Sequence, residues 1–134
     1  MTSMTHTLSS SRLRLVLQAN SVFSALSGLL FLLGGSAVSS FLGLDVPFVV
    51  SGIGLGLLLY AVWLFRIATR SSINRQDVLL AVLMDSAWVV GSVFLLLTGW
   101  PPLTTAGKWV VAIVADIVAL FAFLQYRGMR ELRA

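Results

Sequence analysis

Four polar side chains inside otherwise apolar sequence have the strongest potential for chemistry: Asn20, Arg66, Asp85 and Asp116. The two aspartates lie about nine and about eleven residues inside apolar stretches, which is roughly 13 Å or more along a helix. A carboxylate at the centre of a bilayer costs about 2.5–3.5 kcal/mol on insertion scales. We therefore expect both carboxylates to face a bundle interior or a wet cavity, to be protonated, or to be paired.

Arg66 is the predicted partner of Asp85, and Asn20 is placed to hydrogen-bond either group. Two interpretations stay open for this candidate intramembrane polar site. The four residues either carry protons or bind a cation or a polar headgroup, or they only fasten the helices in register. Interhelical hydrogen bonds of the fastening kind are worth about 0.6 kcal/mol on average.

The elements that position these residues are four long apolar stretches. The chain has 134 residues, of which 58% are hydrophobic and 10% are charged, whereas soluble domains carry about 25% charged residues. Each stretch approaches the ~20 residues that cross a hydrocarbon core, and a spanning backbone must satisfy its own hydrogen bonds as a helix. The predicted helices cover residues 13–38, 48–68, 78–97 and 105–126.

The predicted architecture is an all-α integral membrane four-helix bundle with up-down-up-down topology. Residues 1–11 are predicted to be a flexible tail, and residues 12–134 a single transmembrane domain. The connections are short and two of them contain proline, which indicates turns between sequential, antiparallel neighbours.

Basic residues predict the orientation of the bundle. All of the arginines fall on one side of the predicted membrane, and Lys108 falls on the other. The positive-inside rule then predicts that both termini lie in the cytoplasm. The arginines are Arg12, Arg14, Arg66, Arg70, Arg75, Arg127, Arg130 and Arg133.

Small residues predict the packed faces of the helices, because they let two helix backbones approach closely. Ser24 and Gly28 share a face of the first helix, and Ser92 shares a face of the third helix with Asp85. Gly52 and Gly56 form a GxxxG pattern in the second helix, which serves either the bundle or a dimer.

Catalytic motifs are missing from the sequence. It contains no HExxH, no glycine-rich phosphate loop, no nucleophile–base pair and no cysteine. We therefore expect a non-catalytic protein without a cofactor or a metal site. The net charge of +4 comes from helix ends rather than from a basic face, which excludes nucleic acid as a partner.

Three segments resemble a family of small bacterial four-helix membrane proteins that has no established activity. They are residues 20–29 (NSVFSALSGL), 84–92 (MDSAWVVGS) and 104–109 (TTAGKW). A looser similarity to DoxX-like proteins is limited to size and topology. Both resemblances imply a four-helix membrane fold, and neither implies a function.

The leading functional prediction is a small membrane protein that binds lipid or a partner protein, as an accessory subunit or through self-association. A first alternative is a small oligomeric transporter or channel that uses the mid-membrane carboxylates. A second alternative is a protein that binds a lipid-soluble cofactor among its membrane-embedded aromatic side chains.

Overall fold

The computed structural model describes residues 2–99 and 102–132, with side chains from Ser11 onward. Arg133 lies outside the described residues. The described chain is helical throughout apart from short connections, and it contains no strand. The elements are α1 (Thr2–Leu33), α2 (Gly35–Leu42), α3 (Pro47–Thr69), α4 (Arg75–Thr98) and α5 (Thr105–Glu131).

Four of the helices are long and apolar enough to cross a membrane, which confirms the predicted number of spans within the described residues. The spanning part of α1 is Ser11–Leu33, and the other three spans are the whole of α3, α4 and α5. Large apolar side chains cover the outside of the bundle, among them Phe48 at 90% and Leu97 at 83% exposure. An apolar surface of this extent requires a lipid or protein environment.

The first predicted helix differs from the structure at both ends. Residues 2–11, predicted to be a flexible tail, are helical. The predicted single helix over 13–38 is interrupted at Gly34, where the backbone turns to φ −107° and ψ 28°, and the separate helix α2 follows. Glycine weakens a helix interior by about 1 kcal/mol relative to alanine, and two adjacent glycines make this the place where the chain bends.

Local signals explain where the other helices begin. Pro47 occupies the first turn of α3, where its missing N–H costs nothing. The Asn74 side chain accepts a hydrogen bond from the Gln76 amide at 2.9 Å. Thr104 accepts one from the Gly107 amide at 2.9 Å and donates to the Phe41 carbonyl at 2.7 Å, which ties the start of α5 to α2.

The helices pack as two pairs. α1 lies close along α3, α4 lies close along α5, and the two pairs meet mainly through α1 and α5. At one end of the bundle the interior is filled by a cluster of buried apolar side chains from all four spans. This cluster, called the packed end below, consists of Leu13, Leu17, Leu64, Ile67, Ala68, Val78, Ala81, Val82 and Met129.

A close helix contact lies between α1 and α3 and depends on Gly28 and Gly54. A Cβ atom added at Gly54 would lie 2.4 Å from the Leu32 nitrogen, and one at Gly28 would lie 2.8 Å from the Gly54 carbonyl oxygen. The GxxxG prediction is therefore wrong for the bundle. Gly52 and Gly56 are exposed, and a Cβ added at either would meet nothing within 4 Å.

Two further residues of the predicted packed faces are serines. Ser24 and Ser92 are both buried, at 4% and 8% exposure. The Ser92 hydroxyl donates a hydrogen bond to the Trp88 carbonyl, one turn earlier in the same helix, at 2.8 Å. The buried hydroxyl therefore needs no partner from another helix.

Candidate functional site

Asp85 is the centre of a buried polar network halfway along α4. It is 4% exposed and lies roughly 15 Å along the helix from Arg75. Its Oδ2 atom accepts hydrogen bonds from the Asn20 amide at 2.8 Å and the Gln125 amide at 3.0 Å. Its Oδ1 atom lies 2.8 Å from the Tyr60 hydroxyl. Each of the four spanning helices thus contributes one side chain to the network.

Asn20 links the other members. Its amide nitrogen donates one hydrogen to Asp85 and the other to the Gln125 carbonyl oxygen at 2.8 Å. Its own oxygen accepts from the Ser24 hydroxyl at 3.3 Å. No buried side-chain nitrogen or oxygen in the described structure lacks a hydrogen-bond partner, so each buried polar atom of the network has at least one partner, as a low-dielectric interior requires.

The network accommodates Asp85 either as a carboxylate or as a carboxylic acid. In the ionised form, the Tyr60 hydroxyl donates to Oδ1. In the neutral form, Oδ1 carries the proton and donates it to the Tyr60 oxygen, while the Tyr60 hydrogen turns to the Ala81 carbonyl 3.3 Å away. In both arrangements the Tyr60 hydroxyl has an acceptor, since the Asp85 carboxylate and the Ala81 carbonyl are both within reach.

Arg66 and Asp116 do not belong to this network. The predicted contact of Asp85 with Arg66 is absent from the described structure, where Arg66 is exposed on α3. Asp116, predicted to face the interior, is exposed on α5, while Ala115 beside it is buried. The reason is helix rotation, since successive residues point about 100° apart around a helix.

No ion pair neutralises Asp85 in the described structure. The single ion pair that the described residues form is Arg70–Asp77, with 3.2 Å between the charged atoms, at a helix end where Arg70 is 57% exposed. Asp85 is therefore held by neutral hydrogen-bond donors alone. Nor does any group of three histidine, aspartate or glutamate side chains in the described part of the chain approach closely enough to hold a metal ion.

A cavity of about 440 Å³ adjoins the network on the side away from the packed end. Its volume is in the range of small-molecule sites. Asn20, Tyr60 and Asp85 form its polar end, and the rest of its wall is mostly apolar. The remaining lining residues are Phe23, Ser24, Ser27, Leu30, Phe31, Ile53, Gly56, Leu57, Met84, Trp88, Val110, Val114 and Val118.

The two-pair packing explains why the cavity exists. α3 and α4 have hardly any close backbone approach, so side chains alone must fill the space between them. Leu64 and Ile67 fill this space at the packed end, and Tyr60 fills it beside the network. The Tyr60 ring stacks on Trp63, with 5.8 Å between the ring centroids. Farther along α3 the lining residues are Ile53, Gly56 and Leu57, and Gly56 has no side chain to fill the gap.

Sequence reasoning missed Tyr60 and Gln125. Gln125 is fully buried because it shares a face of α5 with Ala115, Val118 and Ala122. The signal that was available is a seven-residue spacing of small residues, Gly54, Ala61 and Ala68 on α3 and Ala115 and Ala122 on α5, all of them buried. That spacing identifies the inner face of α5, and Gln125 follows on the same face.

No protein-family model, curated protein or solved structure matches this chain. Its chemistry is therefore inferred from the residues of the network and the cavity themselves.

Proposed function

We propose that this protein is a non-catalytic membrane protein that binds a lipid or another lipophilic small molecule inside its helix bundle. The observation that carries the proposal is the cavity of about 440 Å³ with Asn20, Tyr60 and Asp85 at one end. A ligand site in a helix bundle typically combines an apolar wall with a few convergent polar groups that fix orientation. The cavity has the same combination, because its wall is mostly apolar and its polar groups are gathered at one end.

The experiment fills the cavity and measures what the protein retains. In Gly56→Leu the new side chain projects from a lining position into open space. Gly52→Leu is the matched control, because Gly52 lies one turn away on the same helix, is equally unobstructed and does not line the cavity. We expect mass spectrometry of the purified proteins to recover a lipophilic compound from wild type and Gly52→Leu, and several-fold less from Gly56→Leu. Equal recovery from all three would refute the proposal.

We also propose that the bundle has up-down-up-down topology in a bacterial inner membrane, with both termini in the cytoplasm. The packed end supports this, because it combines the start of the α1 span, the end of α3, the start of α4 and the end of α5. Arg14 supports it further by donating to the carbonyls of Ala68 and Arg70 at the end of α3. The arginines among the described residues lie toward this end, which is the distribution that the positive-inside rule gives for a cytoplasmic side.

Because the chain has no cysteine, introduced cysteines report the orientation without background. In intact spheroplasts a membrane-impermeant maleimide should label Thr105→Cys and leave Ser71→Cys unlabelled until the membrane is permeabilised. The reverse labelling would invert the proposed orientation, and labelling of both at once would contradict the alternating topology.

A second candidate function is coupled transport of protons or cations, and the two satisfied proton positions between Asp85 and Tyr60 favour it. It uses Asp85 and excludes Asp116 and Arg66, which lie outside the network. In proteoliposomes, Asp85→Asn should abolish proton-coupled flux and Asp116→Asn should preserve it. The same flux through both variants would remove this candidate. An accessory role beside other membrane subunits, and the binding of a lipid-soluble cofactor, stay predictions.

A further inference from the structure

The cavity carries one uncompensated acidic group, and this selects a class of ligand. Resting on the cavity-binding function above, we propose that the ligand is a singly charged lipophilic amine whose ammonium group binds Asp85. The proposal depends on three features: the charge of the lining, the aromatic side chains beside the carboxylate, and the second acceptor available to Tyr60.

The first feature is the charge. Asp85 is the single ionisable acid or base among the lining residues apart from the Tyr60 phenol. No basic side chain in the described structure is paired with it. Its three hydrogen-bond donors, Asn20, Gln125 and Tyr60, are neutral. A ligand cation would supply the charge that the chain itself does not, and this complementarity disfavours anionic or neutral ligands.

The same lining argues against a zwitterionic phospholipid headgroup. Such a headgroup brings a phosphate with its ammonium, and a buried phosphate needs a cationic side chain or several donors. No arginine, lysine or histidine of the described residues lines the cavity. A single positive charge attached to hydrocarbon therefore fits this wall better than a headgroup with two charges.

The second feature is aromatic. Trp88 lies one turn after Asp85 on α4 and lines the same cavity, as do Tyr60 and Phe23. An aromatic face attracts a cation through the ring quadrupole, and tryptophan does so most strongly. The carboxylate and the rings therefore favour the same end of the ligand, while the apolar remainder of the wall receives its hydrocarbon.

The third feature is the hydrogen-bonding capacity of Oδ1. In the described structure Oδ2 of Asp85 accepts two hydrogen bonds, whereas Oδ1 is bonded to Tyr60 alone. When an ammonium donates to Oδ1, the Tyr60 hydroxyl turns to the Ala81 carbonyl, 3.3 Å away. The Tyr60 hydroxyl thus keeps an acceptor when the ligand binds.

The test compares two probes of equal chain length on wild-type protein, so its outcome does not depend on the folding of a variant. Radiolabelled dodecylamine, which is an ammonium at neutral pH, and radiolabelled dodecanol are bound to the protein in nanodiscs of an uncharged glycolipid. We expect the amine to bind at least about tenfold more tightly, because hydrogen bonds to charged groups are worth more than neutral ones. Equal affinities would overturn the proposal.

Variants then assign the preference to one carboxylate. Asp85→Asn should remove the preference of the protein for the amine over dodecanol. Asp116→Asn is the matched control, because it makes the same replacement in the same part of the membrane at an exposed position outside the cavity. An unchanged preference in a folded Asp85→Asn, or its loss in Asp116→Asn, would contradict the assignment.

The outcomes also separate this inference from the proposed function. Equal binding of both probes, weakened by Gly56→Leu, would refute the amine and support the cavity as a binding site. Binding of neither probe would count against both. Displacement of the amine when phosphatidylethanolamine replaces the glycolipid would refute the singly charged ligand in favour of a lipid headgroup.

Discussion

Asp85 and Asp116 are the same residue type near the middle of neighbouring helices, yet the structure gives them opposite surroundings. Asp85 is 4% exposed and its carboxylate contacts donors from three other helices. Asp116 is exposed on the outer face of α5. Depth in the membrane therefore does not determine whether a polar residue is buried. That depends on whether its helix directs the side chain toward the bundle interior or away from it.

The largest effect is expected on the free energy of unfolding, and it tests the difference between Asp85 and Asp116. Asp85→Ala removes the common acceptor and leaves the amide donors of Asn20 and Gln125 without their partner, while the Tyr60 hydroxyl turns to the Ala81 carbonyl. Because a buried unsatisfied donor costs about 1–3 kcal/mol, we expect the free energy of unfolding to fall by about 3 kcal/mol. Unfolding in mixed micelles, followed by tryptophan fluorescence, measures it.

Asp116→Ala is the control for that measurement and should change the free energy of unfolding by less than about 0.5 kcal/mol, as exposed substitutions usually do. A loss at Asp116 as large as the loss at Asp85 would show that both carboxylates have buried partners, and the contrast between them would disappear.

A smaller effect is expected at the glycines of α3, of which Gly54 is buried against α1 while Gly52 and Gly56 are exposed. Gly54→Ala puts a methyl group where the α1 backbone lies, 2.4 Å from the Leu32 nitrogen. The two helices must separate, and overpacking of this kind costs about 1–3 kcal/mol. The same micelle unfolding assay measures the loss.

Gly52→Ala and Gly56→Ala serve as controls for Gly54, because an added Cβ meets nothing within 4 Å at either position. Alanine there should be neutral or slightly stabilising, since it favours the helix. Should Gly52→Ala destabilise the protein as much as Gly54→Ala, the exposed GxxxG face would have to contact another chain.

The smallest effect is expected at the exposed ion pair between Arg70 and Asp77, whose atoms are 3.2 Å apart. Arg70 is 57% exposed, and exposed ion pairs contribute about 0–1 kcal/mol because water and salt screen them. Arg70→Ala should therefore lower the free energy of unfolding by less than about 1 kcal/mol, and the loss should shrink further at high salt. A loss equal to that of Asp85→Ala would show that the pair acts as a buried one.

The candidate site could be predicted only in part. Asn20 and Asp85 were identified because a polar residue in an apolar span is conspicuous, and the structure places their side chains 2.8 Å apart. Gln125 was passed over because it lies near a helix end, where polar residues are ordinary. Tyr60 was passed over because tyrosine is also ordinary in a membrane. Their importance comes from the partners that meet them across the bundle.

The four apolar spans could be predicted from the amino-acid sequence, because the length and hydropathy of each stretch can be evaluated from that stretch alone. Which residues face the bundle interior depends on the packing of the helices. A change of one position rotates a side chain by about 100° around its helix, which is enough to separate buried Ala115 from exposed Asp116. The network around Asp85 and the cavity beside it depend on those rotations and on the pairing of α1 with α3 and α4 with α5, which no single stretch of sequence contains.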